Sequence, residues 1–234
     1  GGSLILLPVD DIYNTRTLIE ALLRRTGWFE ETPPPDWLST IEIPREASLR
    51  KVLITKRQYL SDIESEIKQL DGELTKLQEY KGLLYETGIT LQEIVKSTLE
   101  QLGAEIMPSV VTDEFMINIG GKKALIEVKG VKKSITKRHV SQLNTDLDRH
   151  RTATGEAIHG ILIGTTWRLF PLEQRDTHDK PAFSQDVVNF ARDNNIGLVS
   201  GTELFKAFCR TLEEPEYKKV VLDRIITGTD VIVF

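Results

Sequence analysis

Residues 110–130 read VVTDEFMINIGGKKALIEVKG, and this stretch decides the fold of the chain. Apolar residues stand on both sides of Gly120-Gly121, a pair that is typical of a hairpin turn. The pattern predicts two antiparallel strands over residues 110–119 and 123–128. Side chains two apart on a strand share a face, so we expect Glu127 and Lys129 to project together.

The length of the hairpin loop decides which carboxylate joins them. A two-residue turn sets Glu114 opposite Glu127 and turns Asp113 away. A three-residue loop over residues 120–122 sets Asp113 opposite Lys129, on the face of Glu127. A slip of one residue moves every side chain to the other face. We predict the three-residue loop with Asp113 as the partner, and we hold Glu114 in reserve.

Two carboxylates and an ammonium group on one face suit a particular chemistry. Phosphodiester hydrolysis needs a hard divalent ion on oxygen ligands, an activated water and positive charge at the transition state. We expect Asp113 and Glu127 to bind the ion and Lys129 to position the water and stabilise the developing charge. A lone Glu-x-Lys is more often an exposed ion pair, but here a hairpin carboxylate and two flanking helical patterns accompany it.

The charge of the chain is unevenly distributed. The 234 residues carry a formal net charge of -5, yet residues 122–138 hold seven basic residues and one acidic residue. We expect a surface that faces the phosphates of nucleic acid, with DNA favoured over RNA. Its predicted members are Lys122, Lys123, Lys132, Lys133, Lys137, Arg138 and His139.

Other functional classes are not supported. The sequence has no apolar run long enough to span a membrane and no secretory signal pattern, so we expect a cytoplasmic protein without a membrane partner. Cys209 is the single cysteine and cannot form an internal disulfide. The four histidines lack metal-ligand spacing, and there is no phosphate-binding glycine loop.

A heptad pattern precedes the hairpin. The apolar residues at its a and d positions are Leu49, Leu53, Leu60, Ile63, Ile67, Leu70, Leu74, Leu77 and Leu84, with Lys56 and Lys81 as polar exceptions. The pattern predicts a long coiled-coil-like helix over residues 45–84. One helix cannot bury such a seam alone, so we expect a homo-oligomer. Residues 1–44, with a predicted strand at 4–8 and a helix at 12–28, are expected to end a preceding domain.

The remaining pattern predicts an α/β domain over residues 85–212 and an extension over 213–234. A capping box at Thr90 and Glu93 predicts the first helix. After the hairpin come helix 136–150, strand 158–164, a helix that Ser184 caps, strand 196–199 and a helix that Thr202 caps. This order predicts a mixed sheet flanked by helices.

The arrangement of Asp113 and Glu127-Val128-Lys129 around a Gly-Gly hairpin resembles the PD-(D/E)XK nuclease superfamily over roughly residues 84–212. The resemblance implies a restriction-endonuclease-like sheet and hydrolysis of nucleic acid, in settings such as restriction or phage defence. It further implies Mg²⁺, with Mn²⁺ as a substitute, on Asp113, Glu127 and the Val128 carbonyl. It gives Gln142 a supporting role near the metal.

Two departures from the superfamily pattern concern the ligand set. Thr112 stands where a proline is expected, and the first helix offers Gln92 beside Glu93 where a further acidic ligand is common. Glu86, just before that helix, is another reserve candidate. We therefore predict a magnesium-dependent endonuclease, and the alternative is a catalytically weakened nuclease fold that binds nucleic acid or scaffolds a larger defence complex.

Overall fold

The computed structural model describes residues 15–27 and 33–234. The chain divides into two compact units whose boundary falls between Glu66 and Ile67. The first unit contains α1, Thr15–Arg25, a 3-10 turn, Asp36–Thr40, and the beginning of a long helix. The predicted strand at residues 4–8 lies outside the described residues, and α1 is the described part of the helix predicted at 12–28.

The long helix α2 spans Glu46–Glu79 and continues into a 3-10 turn, Tyr80–Leu84. The predicted long helix is therefore confirmed, and none of the residues of α2 is buried. Its apolar side chains are exposed, apart from the partly buried Ile63. Over the ranges described, the molecule has no helix with the length and apolarity that crossing a bilayer requires.

The second unit is built on a mixed five-stranded sheet, as the sequence predicts. Its strands lie in the order in which the chain forms them, β1 to β5. The β1-β2 and β2-β3 pairs are antiparallel, whereas β3-β4 and β4-β5 are parallel. Their bounds are Glu105–Pro108, Phe115–Ile119, Lys122–Gly130, His159–Thr165 and Ile196–Ser200. The nine-residue β3 is central and joins the antiparallel half to the parallel half.

Five helices cover the two faces of this sheet. Their bounds, α3 to α7, are Gly88–Leu102, Lys137–Thr154, Gln185–Asp193, Gly201–Glu213 and Tyr217–Thr227. Helices α3, α6 and α7 pack on one face around Ile126 and Ile163. Helices α4 and α5 pack on the other face around Leu125 and Leu162. Alternation along β3 therefore sends odd-numbered side chains toward α4 and even-numbered ones toward α3.

Strand β1 is absent from the sequence-based prediction. It has only four residues, lies at the edge of the sheet and ends in Pro108. The segment between β1 and β2 is also irregular, so β2 begins at Phe115 instead of residue 110. A short edge strand with a proline gives little period-two signal.

The predicted helix caps are also corrected. Helix α3 begins at Gly88 with Thr87 at the N-cap position, so the capping box at Thr90 is wrong. Glu93 instead forms an ion pair with Lys96, 2.7 Å between Oε1 and Nζ. Helix α6 is capped by Ser200, whose hydroxyl accepts from the Glu203 amide at 3.1 Å, and not by Thr202.

The hairpin closes with a two-residue turn, and the predicted three-residue loop is wrong. Ile119 pairs with Lys122, while Gly120 and Gly121 both have positive φ, 58° and 85°. The Asn118 side-chain oxygen accepts a hydrogen bond from the Gly121 amide at 3.0 Å. Positive φ at both central positions is the conformation of the tight turn that matches strand twist. The register that follows sets Glu114, not Asp113, on the face of Glu127.

A close backbone approach at Gly130 holds the end of β3 against the segment that precedes α3. A Cβ at Gly130 would lie 2.6 Å from the Glu86 carbonyl oxygen. We expect Gly130→Ala to lower the free energy of unfolding by about 1–3 kcal/mol, because backbone atoms must shift to admit the methyl group. Urea denaturation measures the loss. Gly72→Ala, where a Cβ meets nothing within 4 Å, is the control and should cause no loss; equal losses would contradict the steric explanation.

Candidate active site

Glu127 and Lys129 lie near the carboxyl end of β3, on the side of the sheet that α4 covers. The Glu127 side chain is fully buried, and the Lys129 side chain is 26% exposed. Lys129 Nζ lies 2.5 Å from Glu127 Oε1. Apart from this ion pair and the adjoining Glu114 carboxyl, neither carboxylate oxygen of Glu127 has a hydrogen-bond partner. The strand therefore presents a buried carboxylate beside a partly accessible ammonium group.

Glu114 completes the group from the segment that enters β2. Phe115 pairs with Ile126, so the preceding residue reaches the level of Glu127. Glu114 Oε1 lies 4.0 Å from Lys129 Nζ, and Glu114 Oε2 is buried without a hydrogen-bond partner. Two carboxyl groups and one ammonium group thus lie together, and the Oε2 atom of each carboxyl group is buried without an N–H donor.

The proximity of the two carboxylates affects their protonation. Burial raises the pKa of Glu114 to about 8, and the negative charge of Glu127 adds to the increase. A hydrogen bond that the protonated Glu114 carboxyl shares with Glu127 also raises the pKa, whereas Lys129 lowers it and Asp146 raises it slightly further. At neutral pH the group therefore holds a proton on Glu114, because two adjacent buried carboxylates do not both ionise readily.

A cavity of about 270 Å³ connects Glu114 to helix α4. Its helical wall consists of Gln142, Asp146 and Arg149, and the Asp146 side chain is only 5% exposed. Arg149 Nη1 contacts Asp146 Oδ1 at 2.9 Å. The structure thus brings the predicted Gln142 to the cavity of Glu114. Sequence reasoning missed Asp146 and Arg149, although their i, i+4, i+7 spacing from Gln142 marks one helix face.

Asp113 lies at the rim of the same cavity and is exposed. Its main-chain carbonyl accepts a hydrogen bond from Gln92 Nε2 at 3.2 Å. Asp113 was predicted as the partner of Glu127 on the basis of a three-residue loop, and the two-residue turn removes that basis. The reserve residue Glu114 occupies the buried position beside Glu127 instead. The side chain of Val128 packs on the opposite core, so only its carbonyl is a candidate ligand.

The other reserve carboxylates lie elsewhere. Glu86 and Glu93 line a separate cavity with Tyr85 and Ile89, next to the beginning of α3. Neither of them lines the cavity that Glu114 and Gln142 share. The first helix therefore supplies Gln92 near the site, through its bond to the Asp113 carbonyl, and no carboxylate.

The basic residues predicted to face phosphate form two groups. Lys122 and Lys123 lie at the hairpin end of β3, where Lys123 Nζ contacts Glu156 Oε2 at 2.8 Å. The second group follows the other end of the strand and comprises Lys132, Lys133, Lys137 and Arg138. At about 3.3 Å per residue, the two ends of β3 lie about 26 Å apart. The second group is the one at the end where Lys129 lies.

His139 lies in the first turn of α4 and is held by a cap interaction. Its Nδ1 accepts a hydrogen bond from the Thr136 amide at 3.2 Å, which leaves Nε2 as the nitrogen that can donate. Burial lowers the pKa of His139, and the positive charge of Lys129 adds to the decrease. The negative charge of Glu127 opposes this decrease.

The buried group suits a hard divalent cation in its donor chemistry. Within residues 15–27 and 33–234, no three His, Cys, Asp or Glu side chains are grouped as a complete metal cage. Mg²⁺, however, is commonly bound through one or two carboxylates and keeps several waters. Glu114 Oε2 and Glu127 Oε2 are buried and receive no N–H donor, which is the state expected of ligands. The residues present therefore fit a magnesium ion held by two carboxylates.

The raised pKa of Glu114 predicts how stability depends on pH in the metal-free protein. The pKa is about 8 in the folded state against a reference value of 4.5, so the folded state binds the extra proton between these values. The stability that this proton contributes is present below pH 4.5 and is lost as the pH rises through 8. We expect Glu114→Gln to stabilise the protein by about 1–3 kcal/mol at pH 8.5 and little at pH 5.

Denaturation in EDTA at a series of pH values measures this effect. Asp113→Asn, at the exposed rim, is the control and should keep the wild-type pH dependence. An unchanged pH dependence in Glu114→Gln would show that Glu114 does not hold the proton.

The comparisons with known proteins give little beyond this geometry. No model of a known protein family matches the sequence, and no curated protein matches it. Among solved structures, the chain is similar to the restriction endonuclease FokI, with a TM-score of 0.43 and 9% sequence identity. The similarity covers 65% of this chain and 30% of the FokI chain. Likeness at this level carries no argument about function, which has to rest on the site residues.

Proposed function

We propose that this protein is a metal-dependent nuclease of the PD-(D/E)XK type, which hydrolyses phosphodiester bonds of nucleic acid. The observation that carries the proposal is the fully buried Glu127 carboxylate beside Glu114 and Lys129. Its Oε1 contacts the Lys129 ammonium group at 2.5 Å, and its Oε2 is buried with no hydrogen-bond partner other than the adjoining Glu114 carboxyl. The resemblance of the Glu127-Val128-Lys129 motif to that superfamily agrees with this position on the central strand.

A purely structural role explains this group poorly. A buried carboxylate is costly unless donors and countercharge satisfy it, and stable buried ion pairs normally have their remaining lone pairs bonded. Here a second carboxyl group adjoins the first, and the two are compatible at neutral pH only because Glu114 holds a proton. A divalent cation would replace this proton, balance both negative charges and bind the free carboxylate oxygens. Such a cation is also what phosphodiester hydrolysis requires.

In the proposed site, Glu114 and Glu127 hold Mg²⁺, or Mn²⁺ in its place, and the Val128 carbonyl is a further candidate ligand. The ion, when bound, supplies Lewis acidity and lowers the pKa of a bound water. Asp113, at the rim, is assigned no role in binding the metal. The proton that Glu114 carries at neutral pH leaves when the carboxylate becomes a ligand, so binding of the ion is expected to be weaker at low pH.

The remaining residues act on the phosphate and the water. Hydrolysis joins a water oxygen to phosphorus, breaks the bond to the leaving oxygen and delivers a proton to that oxygen. Lys129 stabilises the negative charge that develops on the phosphate oxygens. Gln142, on the cavity wall, orients water through its amide. Asp146 and its partner Arg149 form the polar boundary of the cavity, opposite Glu114.

The nucleic acid is proposed to lie across the carboxyl end of β3. The exposed side chains of Lys132, Lys133 and Arg138 lie at this end and are suited to phosphate contacts. Lys137 is partly engaged, since its Nζ lies 3.5 Å from Asp186 Oδ2. DNA is the proposed substrate, and restriction or phage defence is the setting that the resemblance suggests.

The second candidate is a nuclease fold that binds nucleic acid without cutting it. It is favoured by one observation, the absence of a carboxylate from α3 at the site, where Gln92 contacts the Asp113 carbonyl. Retention of Glu114, Glu127 and Lys129 in one buried group opposes it. The first candidate is expected to cleave DNA in Mg²⁺, and the second is expected to bind DNA without cleaving it.

We expect Glu114→Gln, Glu127→Gln and Lys129→Ala each to lower the rate of Mg²⁺-dependent DNA cleavage at least about a hundredfold, because each removes a ligand or the charge that stabilises the transition state. Gel-based cleavage of plasmid and linear DNA measures the rate. The matched control is Asp113→Asn, which should retain activity within about threefold.

The outcomes separate the assignments. Activity that survives in Glu127→Gln and Lys129→Ala would show that this group is not the catalytic site. Loss in Asp113→Asn with retention in Glu114→Gln would show that the wrong carboxylate has been assigned. A wild-type protein that binds DNA and is not stabilised by Mn²⁺ in thermal melting would favour the non-cutting candidate.

We expect the double variant Lys132→Ala/Lys133→Ala to bind DNA more weakly than wild type. The slope of log affinity against log salt concentration should become shallower by about two, since each phosphate contact contributes about 0.9 to it. Fluorescence anisotropy over a salt series, in Ca²⁺ to prevent cleavage, measures the slope. Lys122→Ala, at the distant hairpin end of β3, should leave affinity and slope unchanged. A larger effect from Lys122→Ala would indicate that the nucleic acid binds at the hairpin end of β3.

A further inference from the structure

Helix α2 exposes an apolar stripe, interrupted at Lys56, which we call the α2 seam. The seam residues occupy the a and d positions of the heptads and are Leu49, Leu53, Leu60, Ile63, Ile67, Leu70, Leu74 and Leu77. Every one of them except the partly buried Ile63 is at least half exposed. A soluble protein seldom exposes so long an apolar stripe unless another helix covers it.

The charges of α2 indicate what covers the seam. Residues 46–61 carry four basic side chains and one acidic side chain, whereas residues 62–79 carry six acidic and two basic ones. A second α2 in the opposite direction places the basic half of each helix on the acidic half of the other. A second α2 in the same direction places like charges together. We propose that the α2 seam pairs with the α2 seam of a second copy of this chain, in antiparallel orientation.

One register uses the whole of α2. It sets Leu49 across from Leu74 of the second copy, Leu53 across from Leu70, and Leu60 across from Ile63. Antiparallel coiled coils place an a residue of one helix opposite a d residue of the other, and each of these layers obeys that rule. Every layer also occurs twice, because a two-fold axis relates the copies. The apolar layers therefore extend along nearly the full 34-residue helix.

The residues that flank the seam fit this register. In antiparallel pairs, e positions lie beside e positions of the partner. Arg57 is then beside Glu64 of the second copy, and Arg50 is beside Asp71. Each contact occurs twice, so the two helices share four pairs of opposite charge. Arg50 already lies beside Glu46 of its own chain, which leaves the Arg57 pair as the one for a clean test.

The parallel alternative brings like charges together. In a parallel pair in register, the d residue Lys56 meets Lys56 of the second copy inside the seam. The flanking g and e positions then place Arg45 beside Arg50, and Glu66 beside Asp71. In the antiparallel register, Lys56 meets Ile67 instead, with its ammonium group free to reach solvent. The distribution of charge along α2 therefore selects the antiparallel partner.

The first test measures the mass of the full 234-residue protein in solution. Analytical ultracentrifugation over micromolar concentrations is expected to give a dimer. Leu60→Lys, within the seam, should raise the dimer dissociation constant at least about tenfold. Ile54→Lys is the matched control, since Ile54 is equally apolar, is 67% exposed and lies off the seam. Because no residue of α2 is buried, both variants should keep wild-type circular dichroism.

The second test measures orientation by mixing variants. Arg57→Glu and Glu64→Arg should each weaken self-association, because each sets like charges across the two-fold axis. An equimolar mixture of the two should form a heterodimer of wild-type strength, since both pairs then regain opposite charges. Arg57 and Glu64 lie seven residues apart in one helix, too far to restore each other within a chain.

Three results would overturn the proposal. The first is a monomeric wild-type protein, and the second is a dimer that Leu60→Lys and Ile54→Lys affect equally. The third is a mixture that stays as weak as its components, which would exclude the antiparallel pairing. The proposal does not depend on nuclease activity, so a catalytically inactive protein would leave these results unchanged.

Discussion

The two-residue turn at Gly120-Gly121 determines which side chains of the hairpin share a face. Both glycines adopt positive φ, which residues with a Cβ rarely tolerate, and the turn closes without an extra residue. From this point the register runs along β2 and β3 to Phe115 and Ile126. Glu114 therefore reaches Glu127, and the buried core on each face receives its apolar side chains. A longer loop would exchange the two faces of β2, which packing on both sides of the sheet does not permit.

The electrostatics of the site follow from that register. Glu127 and Lys129 alternate with Ile126 and Val128, so the strand that buries two apolar residues toward α3 must place two charged residues under α4. Helix α4 covers the carboxyl groups of Glu114 and Glu127 and excludes water from them. The charges of these residues and of Lys129 therefore affect one another more strongly. The raised pKa of Glu114 is thus a consequence of the same packing that makes β3 the central strand. The fold holds the two carboxyl groups in place but leaves some of their oxygens without hydrogen-bond partners. This combination is typical of ligand-binding groups.

The sequence predicted the architecture better than the details of the site. Strong periodic signals gave helices α2 and α4, the buried strand around Ile161 and the order of elements in the α/β unit. The predicted hairpin register was wrong, because the same Gly-Gly pair is compatible with a two-residue loop and with a three-residue loop. The predicted cap of α3 was wrong because the helix begins at Gly88, so that Thr90 lies inside its first turn. Edge strand β1 depends on tertiary packing, and local patterns carry little information about it. The spacing of Asp146 from Gln142 places both on one helix face, but only the packing of α4 shows that this face lines the cavity.

A net charge of -5 is compatible with nucleic-acid binding once the position of each charge is considered. At physiological salt, charges interact over about 8 Å, so the field at a site depends on its neighbours and little on the total. Lys129, Lys132 and Lys133 act at the end of β3, where Glu114 and Glu127 are buried and one proton neutralises part of their charge. Much of the acidic excess lies instead on the second half of α2, along the surface assigned to self-association. The proposed contacts with phosphate and with a second α2 therefore do not compete, because they use separate sets of charges.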